Sequence, residues 1–139
     1  MQTFVPYNDV HKSVECLDYK RLGKQRVEAS QIIKALTIDD YGWKNHPATK
    51  MWDGYIPALK WYHDICITEW ISRGFNNTMK LFSPILETIE LPKWWGDERV
   101  HASHRAALLW KEPDHYRQFE WQEKPLLDYH WPIQKKYDN

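Results

Sequence analysis

Two long stretches of helical periodicity constrain the fold of this chain more than any other feature. The first begins after Asp18, whose side chain suits an N-cap, and runs to about Leu36. The second begins at Pro57, which suits a first helical turn, and ends near Arg73, because the glycine that follows is a typical helix stop. The apolar positions that carry the two patterns are Leu22, Ala29, Ile33 and Leu36 in the first and Ile56, Leu59, His63, Cys66, Ile67 and Trp70 in the second.

The remaining segments add shorter helices and loops. A third main helix is predicted over 98–111, and short helices are predicted over 10–17 and 47–52, whereas one tripeptide near the N-terminus alone suggests a strand. From residue 113 onward the chain is aromatic and polar without clear periodicity. The sequence therefore predicts an all-α fold. We expect a compact single domain over 1–139, with about three main helices, long loops and an aromatic C-terminal tail.

Charge and composition exclude several classes of protein. The 19 basic and 19 acidic residues balance, which argues against a protein that coats nucleic acid by charge alone. Residues 20–34 nevertheless hold five basic residues and one acidic residue, so their net charge is +4. No stretch approaches the roughly 18 apolar residues of a membrane helix, and the N-terminus lacks a signal-peptide pattern. Two cysteines cannot form a disulfide framework, so we expect a cytosolic protein with reduced thiols.

One face of the first long helix is a candidate site. Lys20, Arg21, Lys24, Glu28 and Gln31 fall together opposite its apolar face. This is either a solvated face with one Lys24–Glu28 ion pair, or a phosphate-binding face with an embedded catalytic carboxylate. A glycine inside a helix costs about 1 kcal/mol relative to alanine and is tolerated where another group must approach closely. The glycine at position 23 therefore favours the second interpretation.

A second candidate lies at the start of the third main helix. His101, His104 and Arg105 place imidazoles and a guanidinium near a helix N-terminus, an arrangement that suits an anion. The alternative is a set of surface residues with a structural histidine. The two histidines, with His46 or His63, also have spacing that suits a metal, but no carboxylate or cysteine completes a ligand pattern. We therefore predict no metal here.

The aromatic content is unusual. The chain has nine tryptophans, of which some must fill the core and several are expected at a surface or cleft, where rings can stack on bases. Trp121, Tyr129 and Trp131 lie in the tail, where periodicity is weak. They either cap the core or hold a nucleotide by stacking.

Three stretches of the chain resemble the pyrimidine-dimer DNA glycosylase family, the phage-type endonuclease V enzymes. The run 46–78, which ends in Arg-Gly-Phe-Asn, is similar to that family's central helix and its exit. The run 95–116, with Trp-Gly-Asp and His-Ala-Ser-His-Arg-Ala-Ala-Leu-Leu-Trp-Lys, is similar to the family's last helix. The helix that begins at Leu17 and contains Arg26-Val27 matches the first helix.

The resemblance implies a DNA repair enzyme with a compact all-α fold. Such an enzyme cleaves the N-glycosidic bond of a damaged pyrimidine and then nicks the abasic site. The nucleophile is the chain's own α-amine, which forms a Schiff base at C1′ of the sugar, and a glutamate assists. An α-amine suits this step because about a tenth of it is free base at pH 7, against under a thousandth for a lysine. No metal or cofactor is implied.

Carried onto this sequence, the resemblance assigns the amine to Met1, because Gln2 is too large for the usual removal of the initiator methionine. An ungapped match places Leu22-Gly23 where the family has an Arg-Glu pair, so the catalytic carboxylate is assigned to Glu28. The expected partner is double-stranded DNA with a damaged base or an abasic site. The predicted lining of one DNA cleft is Arg21, Lys24, Arg26, His46, His101, His104, Arg105 and Trp131.

Three alternatives remain at this point. Lys24 is the second candidate for the nucleophile, because it lies on the same basic face. The substrate is a pyrimidine dimer or another modified base. The chain is an enzyme, or a DNA-binding protein that keeps the fold without the chemistry. We expect a monomer without membrane attachment, in the cytoplasm of a bacterium or of a phage-infected host.

Overall fold

The computed structural model describes residues 1–132 and confirms the predicted all-α fold. Across this range there are six α-helices and no β-strand. The helices are α1 (Val10–Glu15), α2 (Tyr19–Thr37), α3 (Pro47–Lys50), α4 (Ile56–Ser72), α5 (Glu98–Lys111) and α6 (Pro113–Tyr116). The three main helices are therefore α2, α4 and α5. None of the helices in residues 1–132 is both long and apolar enough to cross a membrane.

Local capping chemistry explains where several helices begin. Asp9 accepts from the backbone N–H of Lys12 at the start of α1, and Asp97 accepts from that of Arg99 at the start of α5. Asp18 occupies the N-cap position of α2, but its carboxylate makes no capping bond. It accepts instead from the hydroxyl of Tyr116 at 2.6 Å. The predicted cap thus became a tertiary contact between α2 and α6.

Helices α2 and α4 pack along each other and form the largest interface between helices. They approach closely at Gly23, where a Cβ atom would lie 3.1 Å from the indole of Trp70. The guanidinium of Arg26 covers the same indole at 4.2 Å and donates to Asn77 at 2.9 Å. The group that approaches Gly23 closely is therefore the side chain of Trp70. The prediction that this glycine favours a phosphate-binding face needs correction.

The N-terminal segment runs in an extended conformation through the middle of the core. Residues 2–6 are all buried. No neighbouring strand pairs with this segment in residues 1–132, so side chains from the surrounding helices satisfy its backbone. The hydroxyl of Tyr62 in α4 donates to the carbonyl of Phe4, and the indole N–H of Trp52 donates to the hydroxyl of Thr3, both at 2.8 Å. The helices therefore hold the first residues of the chain at a fixed place.

Candidate active site

A pocket opens where the chain begins, between the N-terminal segment, α2 and α5. Its lining residues come from four parts of the chain: Met1, Gln2 and Phe4, then Arg21, Lys24, Gln25 and Glu28 of α2, Lys111 of α5, and Tyr129 of the tail. The spacing of the α2 residues, at i, i+3, i+4 and i+7, puts them on one helical face. Of the predicted site residues, the structure brings Met1, Arg21, Lys24 and Glu28 together here.

Glu28 is the one carboxylate among the residues that line this pocket. Burial raises the pKa of its carboxyl group. Four neighbours oppose that shift: the ammonium of Met1, a hydrogen bond from the backbone of Gln2, the charge of Lys24, and a hydrogen bond from Gln25. The carboxylate and the α-amine therefore lie within electrostatic reach of each other.

Gln25 connects the N-terminal segment to Glu28. Its Nε2 donates to the carbonyl of Gln2 at 2.9 Å and to Oε2 of Glu28 at 3.0 Å. Its Oε1 accepts from the backbone N–H of Phe4 at 2.8 Å, and the Tyr62 hydroxyl also lies at 2.8 Å from it. The sequence analysis did not find this residue. Its signal was a polar side chain one helical turn before Glu28 on the same face.

Positive charge surrounds the pocket. Lys24 is exposed at its edge. Arg21 lies deeper and pairs with Asp18 at 3.1 Å and Glu112 at 3.5 Å. Lys111 is a second residue that the sequence analysis missed, although it ends the helix that contains the histidine motif. Burial lowers the pKa of Lys111, and the charges of Arg21 and Lys24 act in the same direction. This clustering of cations suits phosphate groups.

His46 and Trp131 do not line the pocket, but each lies beside a residue that does: His46 is close to Met1, and Trp131 contacts Tyr129. His46 caps α3 by accepting from the backbone N–H of Ala48. Burial lowers its pKa, and the ammonium of Met1 adds to the effect, so the imidazole lies near the amine. The ring of Trp131 meets His46 edge-on at 6.0 Å and Tyr129 at 5.4 Å. The C-terminal tail thus reaches the same side of the molecule as the first residue.

Two predicted DNA contacts, His101 and His104, lie in the core instead. The backbone N–H of Val5 donates to Nδ1 of His104 at 2.9 Å, and Nδ1 of His101 donates to the carbonyl of Val5 at 2.6 Å. Nε2 of His101 accepts from the backbone N–H of Gly96 at 3.0 Å. Neither imidazole has exposed surface, so their assignment as DNA contacts needs correction. Their place in the structure is to fix the N-terminal segment.

Arg105 also lies apart from the pocket, with its charge already matched. Its guanidinium donates to the carboxylates of Glu98 and Glu123 and to the carbonyl of Pro6. The side chain is mostly covered. Arg26 is turned toward α4, as described above. Of the eight residues predicted to line one DNA cleft, Arg21 and Lys24 therefore line the pocket.

The residues described here also bear on metal binding. Within residues 1–132, no group of three or more histidine, cysteine, aspartate or glutamate side chains is arranged to hold a metal ion. The Nδ1 atoms of His101 and His104 are both hydrogen-bonded to the backbone of Val5. These two atoms are therefore not available to a metal ion.

Comparison with known proteins gives one match. A family model described as pyrimidine dimer DNA glycosylase matches residues 1–83, more than half of the chain. The match includes Met1, Lys24, Gln25 and Glu28, whereas Lys111 and the aromatic tail lie outside it. No curated protein and no solved structure matches the chain.

Proposed function

Because this chain belongs to the pyrimidine dimer DNA glycosylase family, we propose that it excises a damaged pyrimidine from double-stranded DNA with the amine of Met1 as nucleophile and then nicks the abasic site as a lyase. The observation that carries this proposal is the burial of residues 2–6. The core holds the chain from its second residue onward, and Met1 lies at the edge of the pocket that Glu28 also lines.

The chemistry needs one base and one proton carrier. The free amine attacks C1′ of the damaged nucleotide, the C1′–N bond to the base breaks, and the base leaves with the bonding electrons. The new N–C1′ bond releases a proton from nitrogen, which the Glu28 carboxylate accepts. Glu28 then returns that proton to the ring oxygen as the C1′–O4′ bond opens, and a protonated imine results. The carboxylate also stabilises the positive charge that develops on the sugar.

The elimination step follows from the same intermediate. The imine acidifies the hydrogens on C2′, so loss of one of them breaks the C3′–O bond and cleaves the strand. No metal or cofactor takes part in these steps. Lys24 and Lys111 carry charges that suit the phosphates on either side of the reacting sugar.

Trapping with borohydride tests this proposal directly. Wild-type protein and an abasic duplex should give a covalent adduct, because borohydride reduces an imine to a stable amine. The same protein acetylated at Met1 should give no adduct, and mass spectrometry of the wild-type adduct should place the DNA on residue 1.

Three other outcomes are informative. An adduct on Lys24 or Lys111 would move the nucleophile to that lysine. Tight binding of damaged DNA without any adduct or base release would show a DNA-binding protein without chemistry. A panel of duplexes with single lesions identifies the base, and the family predicts release at a cyclobutane pyrimidine dimer.

A further inference from the structure

We propose that Gln25 is a positioning residue that sets the distance between the α-amine of Met1 and the carboxylate of Glu28. This inference rests on the proposed function. It concerns a residue that takes no part in the bonds that form and break. Gln25 is 1 % exposed, so it acts through its neighbours and not on the DNA.

The hydrogen bonds of Gln25 leave its amide one orientation. The backbone N–H of Phe4 is a donor, so the atom that faces it must be the oxygen Oε1. The nitrogen then faces the carbonyl of Gln2 and the carboxylate of Glu28, which are both acceptors. An amide nitrogen has two hydrogens, and each has one partner here. A flipped amide would put its one oxygen against the two acceptor oxygens and its nitrogen against the backbone N–H of Phe4.

The geometry makes Gln2 the link between the two reacting groups. The amide nitrogen of Gln25 donates to the carbonyl of Gln2 and to the carboxylate of Glu28. The amine of Met1 is one residue before the residue whose carbonyl is held. The position of the amine relative to Glu28 is therefore set by two hydrogen bonds that meet at one buried side chain, and loss of both donors would release both ends.

Gln25→Glu is the sharpest variant, because it keeps the acceptor for Phe4 and removes both donors toward Gln2 and Glu28. The matched control is Ser13→Ala, which removes two hydrogen bonds of a buried hydroxyl to the backbone of Tyr7, away from the pocket, and leaves those donors in place. Both changes remove two hydrogen bonds of a buried side chain, so a purely structural role would reduce activity in proportion to the lost stability in both. Melting temperatures of the two proteins provide that comparison.

We expect Gln25→Glu to lower the rate of adduct formation by about 10²-fold, as a displaced reacting group does. The uncharged variant Gln25→Met also lacks both donors, and its affinity for a duplex with a non-cleavable abasic analogue should stay within about twofold, because it leaves Lys24 and Lys111 in place and adds no negative charge. Ser13→Ala should keep nearly full rate. Acidification slows wild type too, because it protonates the amine, but it should narrow the difference in rate between wild type and Gln25→Glu, since a protonated carboxyl group regains one donor.

A measurement without DNA completes the test. Reductive methylation with ¹³C-formaldehyde labels the α-amine, and the chemical shift of its methyl carbons at one fixed pH reports the groups that surround it. Gln25→Met, which adds no charge beside the amine, should change this chemical shift, and Ser13→Ala should not. If Gln25→Glu does not fold, Gln25→Met also replaces it in the adduct measurement, without the acid rescue. An unchanged adduct rate or chemical shift in the folded variants overturns the proposal, whereas absence of any adduct with wild type overturns the proposed function instead.

Discussion

The indole of Trp70 occupies the space where a side chain at Gly23 would begin. A Cβ atom there would lie 3.1 Å from Cζ3 and 3.2 Å from Cη2 of the ring. The ring has little freedom to yield. Phe75 stacks on it at 4.3 Å, the guanidinium of Arg26 covers it at 4.2 Å, and its Nε1 donates to the carbonyl of Asn76 at 2.7 Å. A side chain at this position would therefore have to push the ring away by a few tenths of an ångström.

Gly23→Ala should lower stability although alanine is the better helix former. The gain in helix propensity is about 1 kcal/mol, and overpacking against a fixed ring costs about 1–3 kcal/mol. The net loss should be about 1 kcal/mol in urea unfolding. In a Trp70→Leu background the same change should stabilise the protein by up to about 1 kcal/mol, because the obstacle is gone. Stabilisation of the otherwise wild-type protein would show that the ring moves freely.

The sequence predicted the helices well because their signals are local. Helix α5 was predicted over 98–111, which the structure shows as Glu98–Lys111. Helix α2 ends one residue beyond its predicted end. Caps, prolines and apolar spacing all lie within a few residues of what they determine. The glycine at position 23 signalled a close approach, but its partner lies on another helix and cannot be read from local sequence.

The site was predicted in part for the same reason. Residues on one face of α2 share a helical period, so Lys24 and Glu28 could be grouped. His101 and His104 could not be interpreted correctly, because their partner is Val5, which lies 96 and 99 residues away in the sequence. A motif of imidazoles has the same pattern whether the rings face an anion, a metal or a buried backbone. Gln25 was missed because its partners also come from the N-terminal segment.

Glu28→Gln should separate catalysis from binding. The change keeps the size of the side chain and removes its charge, so base release should fall by at least about 10²-fold. Affinity for lesion DNA should hold or rise, because a negative charge leaves a cationic pocket. Single-turnover kinetics and a binding titration measure the two effects. Glu87→Gln, an exposed residue outside the pocket, is the control. Unchanged turnover in Glu28→Gln would reduce Glu28 to an ion-pair partner of Lys24.

Substitutions of three basic residues should differ in their effect on the salt dependence of DNA binding. Lys24→Gln and Lys111→Gln should each reduce the slope of log affinity against log salt by about 1, because each removes one phosphate contact. Arg105→Gln should leave the slope unchanged, because its charge is matched by Glu98 and Glu123. Binding titrations between low and moderate salt give the three slopes. A reduced slope for Arg105→Gln would bring that residue back to the DNA surface.

The buried ring of His104 should make stability depend on pH. Burial lowers its pKa to about 3, and the positive charge of Arg105 acts in the same direction. The aromatic rings that face it belong to Phe4 and Tyr129. Since the pKa in the unfolded chain is about 6.5, the unfolded state binds one more proton between these two values. The stabilisation is complete above about pH 6.5 and is lost as the pH falls toward 3.

His104→Gln tests this dependence, because glutamine can accept a hydrogen bond from Val5 but does not titrate in this range. Wild type should lose about 1.4 kcal/mol per pH unit from this group as the pH falls below 6. The variant should lack that contribution, so the two urea-unfolding curves should converge on acidification. Parallel pH profiles of the two proteins would show that His104 titrates normally.

Two tryptophans of the tail have different surroundings. Trp121 stacks on Tyr116 at 5.5 Å and on Phe119 at 5.4 Å, and its Nε1 donates to the hydroxyl of Tyr7 at 2.8 Å. This ring packs against the core, which is the alternative to stacking on DNA. Trp131 lies beside Tyr129, which lines the pocket, and its contacts with His46 and Tyr129 are edge-on.

We therefore predict that Trp131→Ala and Trp121→Ala have opposite effects. An enzyme that works at C1′ must extrude a nucleotide at a cost of a few kcal/mol, and one stacked ring returns about 1–3 kcal/mol. Trp131→Ala should weaken binding to lesion DNA by about 1–3 kcal/mol, with little change in affinity for undamaged duplex or in melting temperature. Trp121→Ala should lower the melting temperature and keep the preference for the lesion. A large thermal loss in Trp131→Ala with its lesion preference intact would make Trp131 a core residue too, and the selectivity would then have to come from groups nearer the amine.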